Sequence, residues 1–444
     1  MTKVFKRWEG PRGEYEPLYP DSLRRYICAG RNFTWEGDPW YETDKSWFES
    51  CYIHAGISGP EITYYGPDAT KLLSDASIND VYKWNVGTCK HLVQLDKDGL
   101  IANHALFMKD ADDVYRTTAG CPYPVLPMAT SGKYDVKVKE KNVYVFQFSG
   151  PKSLTIIEKV TQTDLHDLKF LEFRKVRIPG LDTDIEVNRI GMSGTLAYEL
   201  RGEQEWGPDV YNACFEAGKE YGIKRLGWRD YTVNHTFGGF PQMTVHWEIS
   251  IYNDPEFLKV SPFRLICTGS VDPSDSRARF RTPVEVDWEW MAKFNHEFTG
   301  REALEKEMAN PKRKIVTLEF NNEDIIDVYA SQFTNDPYKY MDMPCAVQAM
   351  CGGHQDYVTD KDGKIIGFSS VPTYSSHYKV MAAHASLDIP EIEEGREVIV
   401  KWGDYGAKQK DLRATIRPFP YIRYIGDVQD NRDYDLSTVP SGLD

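Results

Sequence analysis

Long apolar runs are missing from this 444-residue sequence. None approaches the ~20 residues needed to cross a bilayer, and the opening MTKVFKRWEGPRGEYEP lacks the apolar core of an export signal. A cytoplasmic protein without a membrane partner is expected. An excess of basic charge is missing too. Lys and Arg number 53 against 67 Asp and Glu, a net charge of −14, whereas a nucleic-acid binder shows a basic face. The expected partner is a small molecule, not a nucleic acid. Closely spaced cysteines are absent: the eight are scattered and none forms a Cys-x-x-Cys pair, so reduced thiols are expected rather than a disulfide framework. His-Glu-x-x-His and His-x-His are absent among the ten histidines, and no metal site is expected.

Aromatic residues, by contrast, are abundant: 27 Tyr, 20 Phe and 11 Trp. They suit large apolar pockets for flat ligands, or simply aromatic-rich cores. The length calls for two or three domains. Three segments open alike, GPDATKLLSDA (66–76), GPKSLTIIEKV (150–160) and GPDVYNACFEAGKEYG (207–222), each with Gly at a cap and Pro at the first helical position. Each follows a strand-like run: EITYY (61–65), NVYVFQF (142–148) and TLAYELRG (195–202). An α+β chain with sheets covered by helices is predicted. Residues 1–50 read as an irregular, aromatic-rich cover, and 51–310 as an α+β region of two interleaved subdomains. Beyond the charged ANPKRK stretch, 314–320, 345–350, 364–375, 397–402 and 412–419 read as short strands of a C-terminal β-barrel or sandwich over 311–425. Residues 426–444 read as a loosely held polar tail.

Several stretches could carry chemistry. In NRIGMSGTLAYELRGE (188–203), a Gly-x-x-Gly turn precedes Glu199, which is either a solvent-facing strand residue or a carboxylate accepting two N–H bonds from an amidine-like ring edge. RLGWRDY (225–231) ends in Tyr231, either a core ring or a phenol donating a proton. In SRARFRTP (276–283), an extended backbone would align Arg277, Arg279 and Arg281 on one face as a carboxylate clamp or as a solvated edge. GLIANHALF (99–107) sets Asn103 and His104 in an apolar strand, and His54 sits in CYIHAGISG; each lines a pocket or is satisfied by backbone.

Taken together, YYGPDATKLLSD (64–75), FQFSGPKSLTIIEK (146–159), IGMSGTLAYELRG (190–202) and EAGKEYGIKRLGWRDY (216–231) resemble the glycine-cleavage T-protein (aminomethyltransferase) family. So do KFNHEFTGREAL (293–304), VTLEFNNEDIIDVYASQF (316–333) and IGFSSVPTYS (366–375). Within that family the sequence is most similar to tetrahydrofolate-dependent aromatic O-demethylases. The resemblance implies a multi-domain folate-binding fold, with tetrahydrofolate held by Glu199 at the pterin edge and by Gln147, Arg229 and Phe240. It implies Tyr231 as the proton donor in methyl transfer from a methoxylated aromatic acid to N5 of tetrahydrofolate. His54, Asn103 and an arginine, Arg116 or one of 277–281, are the implied substrate-side residues. Asn103 departs from the acid the family carries on that strand, and HAGISG (54–59) departs as well. Another one-carbon transferase of this fold and a non-catalytic folate binder are the alternatives. The Lys-Gly-Cys-aromatic-x-Gly-Gln-Glu signature of the latter is absent.

Overall fold

Strands in the first half of the chain alternate buried apolar with buried polar residues, and the architecture shows why both kinds lie inside. The computed structural model describes residues 24–28, 31–55, 59–117, 123–260, 267–347 and 353–443. The opening segment 1–23, positions 348–350 of the expected strand 345–350, and Cys121 and Cys351 lie outside the described residues.

Ten strands form one sheet. Its order is Thr88–Leu95, Ile101–Ala111, Val114–Thr117, Gly59–Tyr65, Lys137–Ser149, Ala197–Glu203, Ile185–Asn188 and Phe173–Val176. Tyr52–His54 pairs with the end of Lys137–Ser149, and Lys224–Arg225 lies beyond it. Because directly paired residues share a face, the registers sort every side chain. One face carries Tyr64, Tyr115, Phe107, Phe146, Phe148, Tyr198 and Leu200. It packs beneath helices Ala69–Ala76, Ser153–Thr161 and Gly207–Gly218 in two apolar cores. The opposite face carries His54, Gln147, Glu199, Asn188, Arg201, Arg116 and His104.

Three Gly-Pro openings do precede helices, but only the third places Gly and Pro inside one, with Trp206 as its cap. In the other two the helix starts three residues later, and Gly66 and Gly150 adopt φ near +130° where neighbouring backbone passes too close for a Cβ.

A second sheet closes on itself. Arg313–Phe320, Lys410–Arg417, Glu397–Trp402, Asp356–Thr359, Ile365–Ser369 and Val380–Asp388 form a six-stranded barrel, sealed by pairing of the last with the first, and Thr373–Ser375 is added outside. Among the described residues no helix is long and apolar enough to cross a membrane.

Between the polar face and the barrel runs the helix Trp228–Gly238, with every residue from Asp230 to Phe237 buried. His384 of the barrel hydrogen-bonds the Thr236 carbonyl at 2.7 Å, and Arg229 donates to the Met343 carbonyl at 2.9 Å. The part of 1–50 that is described is regular, not irregular: a hairpin, Arg24–Cys28 with Arg31–Glu36, then a helix, Trp40–Glu49. Asp44 of that helix accepts from the Ser376 and His377 amides of the barrel side.

Residues 426–444 also depart from expectation. Rather than hanging loose, they dock: Leu436 and Val439 enter the apolar core. Arg189 donates to the carbonyls of Leu168, Asn431 and Tyr434 at 2.8–3.2 Å, and Thr155 and His166 bond the carbonyls of Pro440 and Val439. A polar composition misleads here because the bonds run through the backbone of the tail. Substituting Arg189→Met removes these charge-assisted bonds. It should lower stability by about 2–3 kcal/mol in urea unfolding and speed proteolytic cleavage between residues 428 and 443.

Candidate functional site

Four strands place a polar residue at the same level. The registers pair His54 with Gln147, Gln147 with Glu199, and Glu199 with Asn188, making one row across the polar face. All four are at least 95% buried. Gln147 donates to Glu199 Oε1 at 3.3 Å. Beyond that bond, Glu199 Oε2, both ends of the Asn188 amide and Nε2 of His54 have no hydrogen-bond partner among the described residues. An unpaired buried polar group costs about 1–3 kcal/mol, and several such groups on one face mark a surface built to be met by a polar ligand. Burial raises the Glu199 carboxyl above the usual range, with Arg201, 3.9 Å from its Oε2, pulling the other way.

The strand Ala197–Glu203 comes in close against the preceding turn because residue 191 is glycine. A Cβ there would lie 2.1 Å from the Ala197 side chain. Tyr231 approaches the row from the helix Trp228–Gly238. Its ring lies parallel to His54 at 4.5 Å, with Trp228 edge-on at 4.6 Å and His235 at 4.3 Å. Among the described residues the buried Tyr231 hydroxyl makes no well-formed hydrogen bond; Gln147 and Gln242 are its near polar neighbours, able to bond it with small shifts. Desolvation pushes this phenol well above its ordinary value, so it stays protonated. The Leu226 carbonyl accepts from Nδ1 of His54 at 2.9 Å, which leaves Nε2 as the bare acceptor, and burial drops this imidazole to about 4.

Phe240 lies farther out, on a cavity of about 560 Å³ lined also by His91, His104, Met192, Trp288 and Phe419. His235 spans from Tyr231 to this cavity, 5.8 Å from Phe240 and 2.8 Å from the Met192 sulfur. Tyr231 thus stands one side-chain layer behind the cavity wall.

Other expected residues fall elsewhere. Asn103 projects to the face opposite His104 and donates to Gln94, which in turn reaches Ser77; strand alternation separates the two neighbours that the sequence presents as a pair. Arg229 is held by Glu36 at 2.8 Å and by the Met343 carbonyl. Arg116 is gripped by Glu61, Asp110 and Glu186, so it is a bound cation and not a free clamp. The 276–283 segment is no extended edge: Ser276–Arg279 is a helical turn, Arg279 pairs with Glu248, and Arg281 donates to Gln355. A serine followed by a short helix-forming run, capped by Asp275, overrides the alternating pattern.

Sequence reasoning missed Asn188, Arg201, Gln242 and His91. The Gly-x-x-Gly turn was the available signal, because a hairpin folding back there sets residue 188 opposite residue 199.

The profile of the GCVT N-terminal domain matches residues 58–235. The chain is 33% identical over 415 residues to the sesamin methylene transferase of Sinomonas sp. (strain No.22), covering 88% of this chain and 90% of that protein. It is 26% identical over 412 residues to the syringate O-demethylase of Sphingobium sp. (strain NBRC 103272 / SYK-6), covering 86% and 88%. In fold it is similar to the glycine cleavage system aminomethyltransferase T from Bartonella henselae, with a TM-score of 0.63 and 14% identity over 92% of this chain and 97% of that one.

Burial of Glu199 has a measurable cost. Its folded-state value is raised, so the stability it contributes is present at low pH and is lost as pH rises through that value. Glu199→Gln should therefore melt higher than the parent protein at pH 8, with the difference shrinking toward pH 5 in paired thermal scans.

Proposed function

This chain belongs to the GCVT family, and from that premise we propose that it moves the one-carbon substituent of an aryl ether onto tetrahydrofolate, leaving a phenol. A methoxylated aromatic is the expected donor and 5-methyltetrahydrofolate the expected product. The observation that carries this reading is the row of buried, unpaired polar atoms beside an unpaired phenol: Glu199, Asn188, His54 and Tyr231. Those residues fit the cofactor, because a reduced pterin presents an amidine-like edge of adjacent N–H donors. A carboxylate oxygen and an amide without partners complement such an edge. Each of the relatives described above is named for moving a single carbon, which adds support.

Tetrahydrofolate, when bound, supplies the amine nitrogen that accepts the carbon. The residues of the chain supply the rest. Glu199 and Asn188 orient the pterin edge, with Gln147 holding the Glu199 carboxylate in place. An aryl ether resists cleavage because phenolate leaves poorly. Tyr231 stays protonated at every working pH and meets the departing oxygen as a donor; such assistance is worth about 10²–10⁴-fold. Its raised value makes it a weak acid in the free protein, so it hydrogen-bonds the growing negative charge before giving up its proton. His54, stacked on its ring and neutral, fixes the phenol's direction without adding a competing cation. The cavity of Phe240, Trp288 and Phe419 would seat the aromatic donor, its ether oxygen reaching Tyr231 once the intervening His235 side chain swings aside. Arg116, Arg279 and Arg281 are occupied by internal partners, so the reading no longer relies on them to hold a substrate carboxylate, and neutral aryl ethers join the acids as candidates.

A second reading has its own support. The relative at 33% identity is a methylene transferase, and an aryl donor gives up methylene only when one carbon bridges two ring oxygens. The two readings differ in product, 5-methyl against 5,10-methylene-tetrahydrofolate.

Incubation with tetrahydrofolate and methoxybenzoates, neutral methoxyarenes, methylenedioxyarenes, dimethylglycine and sulfonium compounds tests both. Turnover confined to amine or sulfonium donors would overturn the aryl-ether reading. Tyr231→Phe should lose about 10²–10⁴-fold in turnover while still binding tetrahydrofolate; near-parental rates would remove it from the chemistry. Glu199→Ala should lose folate affinity instead.

A further inference from the structure

A guanidinium lies beside the buried row. Arg201 is two residues beyond Glu199 on the same strand and the same face, and its side chain is only 2% exposed. Its nearest acceptors are poor ones: Glu61 Oε2 at 3.5 Å and the Met108 sulfur at 3.0 Å, both from Nη1. Nε and Nη2 are buried with no hydrogen-bond partner among the described residues. Glu199 Oε2 stands 3.9 Å from that Nε, too far for a hydrogen bond and near enough for strong Coulombic attraction in a medium from which water is excluded. A fully buried arginine ordinarily has its donors met, because losing water at each N–H is expensive. Here the Nε of the cation and one oxygen of the anion stop short of each other, both otherwise unpartnered among the described residues.

We propose that Arg201 is the positioning residue for Glu199: it keeps the carboxylate ionised in its buried setting while leaving the acceptor oxygen open to the ligand. This rests on the reading of Glu199 as the pterin anchor and goes beyond it, because it names what makes the anchor usable. A protonated Glu199 would present a donor where an acceptor is needed. A close salt bridge would instead satisfy both partners and cover the edge. Separation by 3.9 Å does neither. The flanking network holds Arg201 at that distance: Glu61, which it touches, is itself shared with Arg116, and Arg116 is tied further to Asp110 and Glu186.

The other groups around Glu199 cannot replace this cation. Gln147 from one neighbouring strand is neutral. Glu186 from the other, diagonal to it, is no cation and pushes Glu199 toward its protonated form. Tyr52, Tyr231 and Cys89 face it from three further elements, and burial keeps each of them protonated. His54, in the same row, is neutral above about 4. Arg201 is therefore the one cation among the described residues named here that bears directly on Glu199.

The test is the pH dependence of tetrahydrofolate affinity, measured anaerobically by titration calorimetry from pH 6 to 9 on the full-length protein. In the parent, affinity should fall toward the acid end, and Glu199→Gln should bind weakly with a flat profile. Arg201→Met should lose about tenfold or more at pH 7 and recover most of that loss by pH 9, since one unit of displacement in a carboxylate is a tenfold effect. Arg201→Lys, which restores the charge, should keep the parental profile. A charge-removing variant that folds and is weakened by the same factor at every pH, or is unchanged, overturns the proposal. If Arg201→Met does not fold, Arg201→Gln takes its place. The parent protein offers an arm needing no change at position 201. Infrared difference spectra against Glu199→Gln should show an ionised carboxylate at pH 7.5, and a protonated carboxyl band there overturns the proposal. A parent that binds no tetrahydrofolate at all would instead defeat the folate reading, a separate outcome.

Discussion

A carboxylate buried at the centre of a ten-stranded sheet, with one oxygen left open, is the constraint around which this protein is arranged. Water would satisfy Glu199 at once, so the fold has to keep water away. The sheet supplies one wall and the helix Trp228–Gly238 another, with the barrel behind that helix. His235, in contact with the Met192 sulfur at 2.8 Å, stands between Tyr231 and the cavity. The unusual features of the polar face follow from this: neutral histidines, protonated phenols, and cations held by several carboxylates at once.

The two faces of the sheet divide the labour. The helix-covered face provides the apolar burial that stabilises the domain, at roughly 25 cal/mol for each Å² removed from water. The opposite face carries polar groups whose desolvation works against stability, and natural proteins accept such costs where function requires them. The Glu61, Arg116, Asp110 and Glu186 cluster belongs to the same face. Among the described residues it ties the strands Gly59–Tyr65, Val114–Thr117 and Ile185–Asn188 together through side chains, where register alone would leave like charges free to repel.

How far the sequence discloses all this depends on the kind of signal. Most short strands bounded by turn residues were readable, as were the barrel and the helix Gly207–Gly218, because local periodicity and punctuation survive in one dimension; the strand expected at 345–350 is, over its described residues 345–347, only an isolated bridge from Cys345 to Thr373. The strand Val380–Asp388 was not: VMAAHASLD has few β-branched residues and owes its state to partners on both sides. The helix Trp228–Gly238 is buried on all sides and shows no amphipathic period. Tyr231, Glu199, Gln147 and His54 were singled out by motif resemblance, and Asn188 and Arg201 by no motif at all. Asn188, Gln147 and His54 meet only through pairing of segments far apart in sequence. The arginines were the opposite case. A guanidinium is conspicuous in a sequence, yet whether it is free depends on carboxylates that are distant along the chain.

The docking of residues 431–442 bears on how the chain acquires its shape during synthesis. Arg189 at the base of the Gly-x-x-Gly turn caps carbonyls that leave the ribosome some 240 residues after it, by the order of residues along the chain. Gly442 then threads so close to Thr155 that a Cβ would collide with its carbonyl. The nascent first half therefore carries a cationic side chain and an apolar groove that stay uncovered until residues 431–442 have been made.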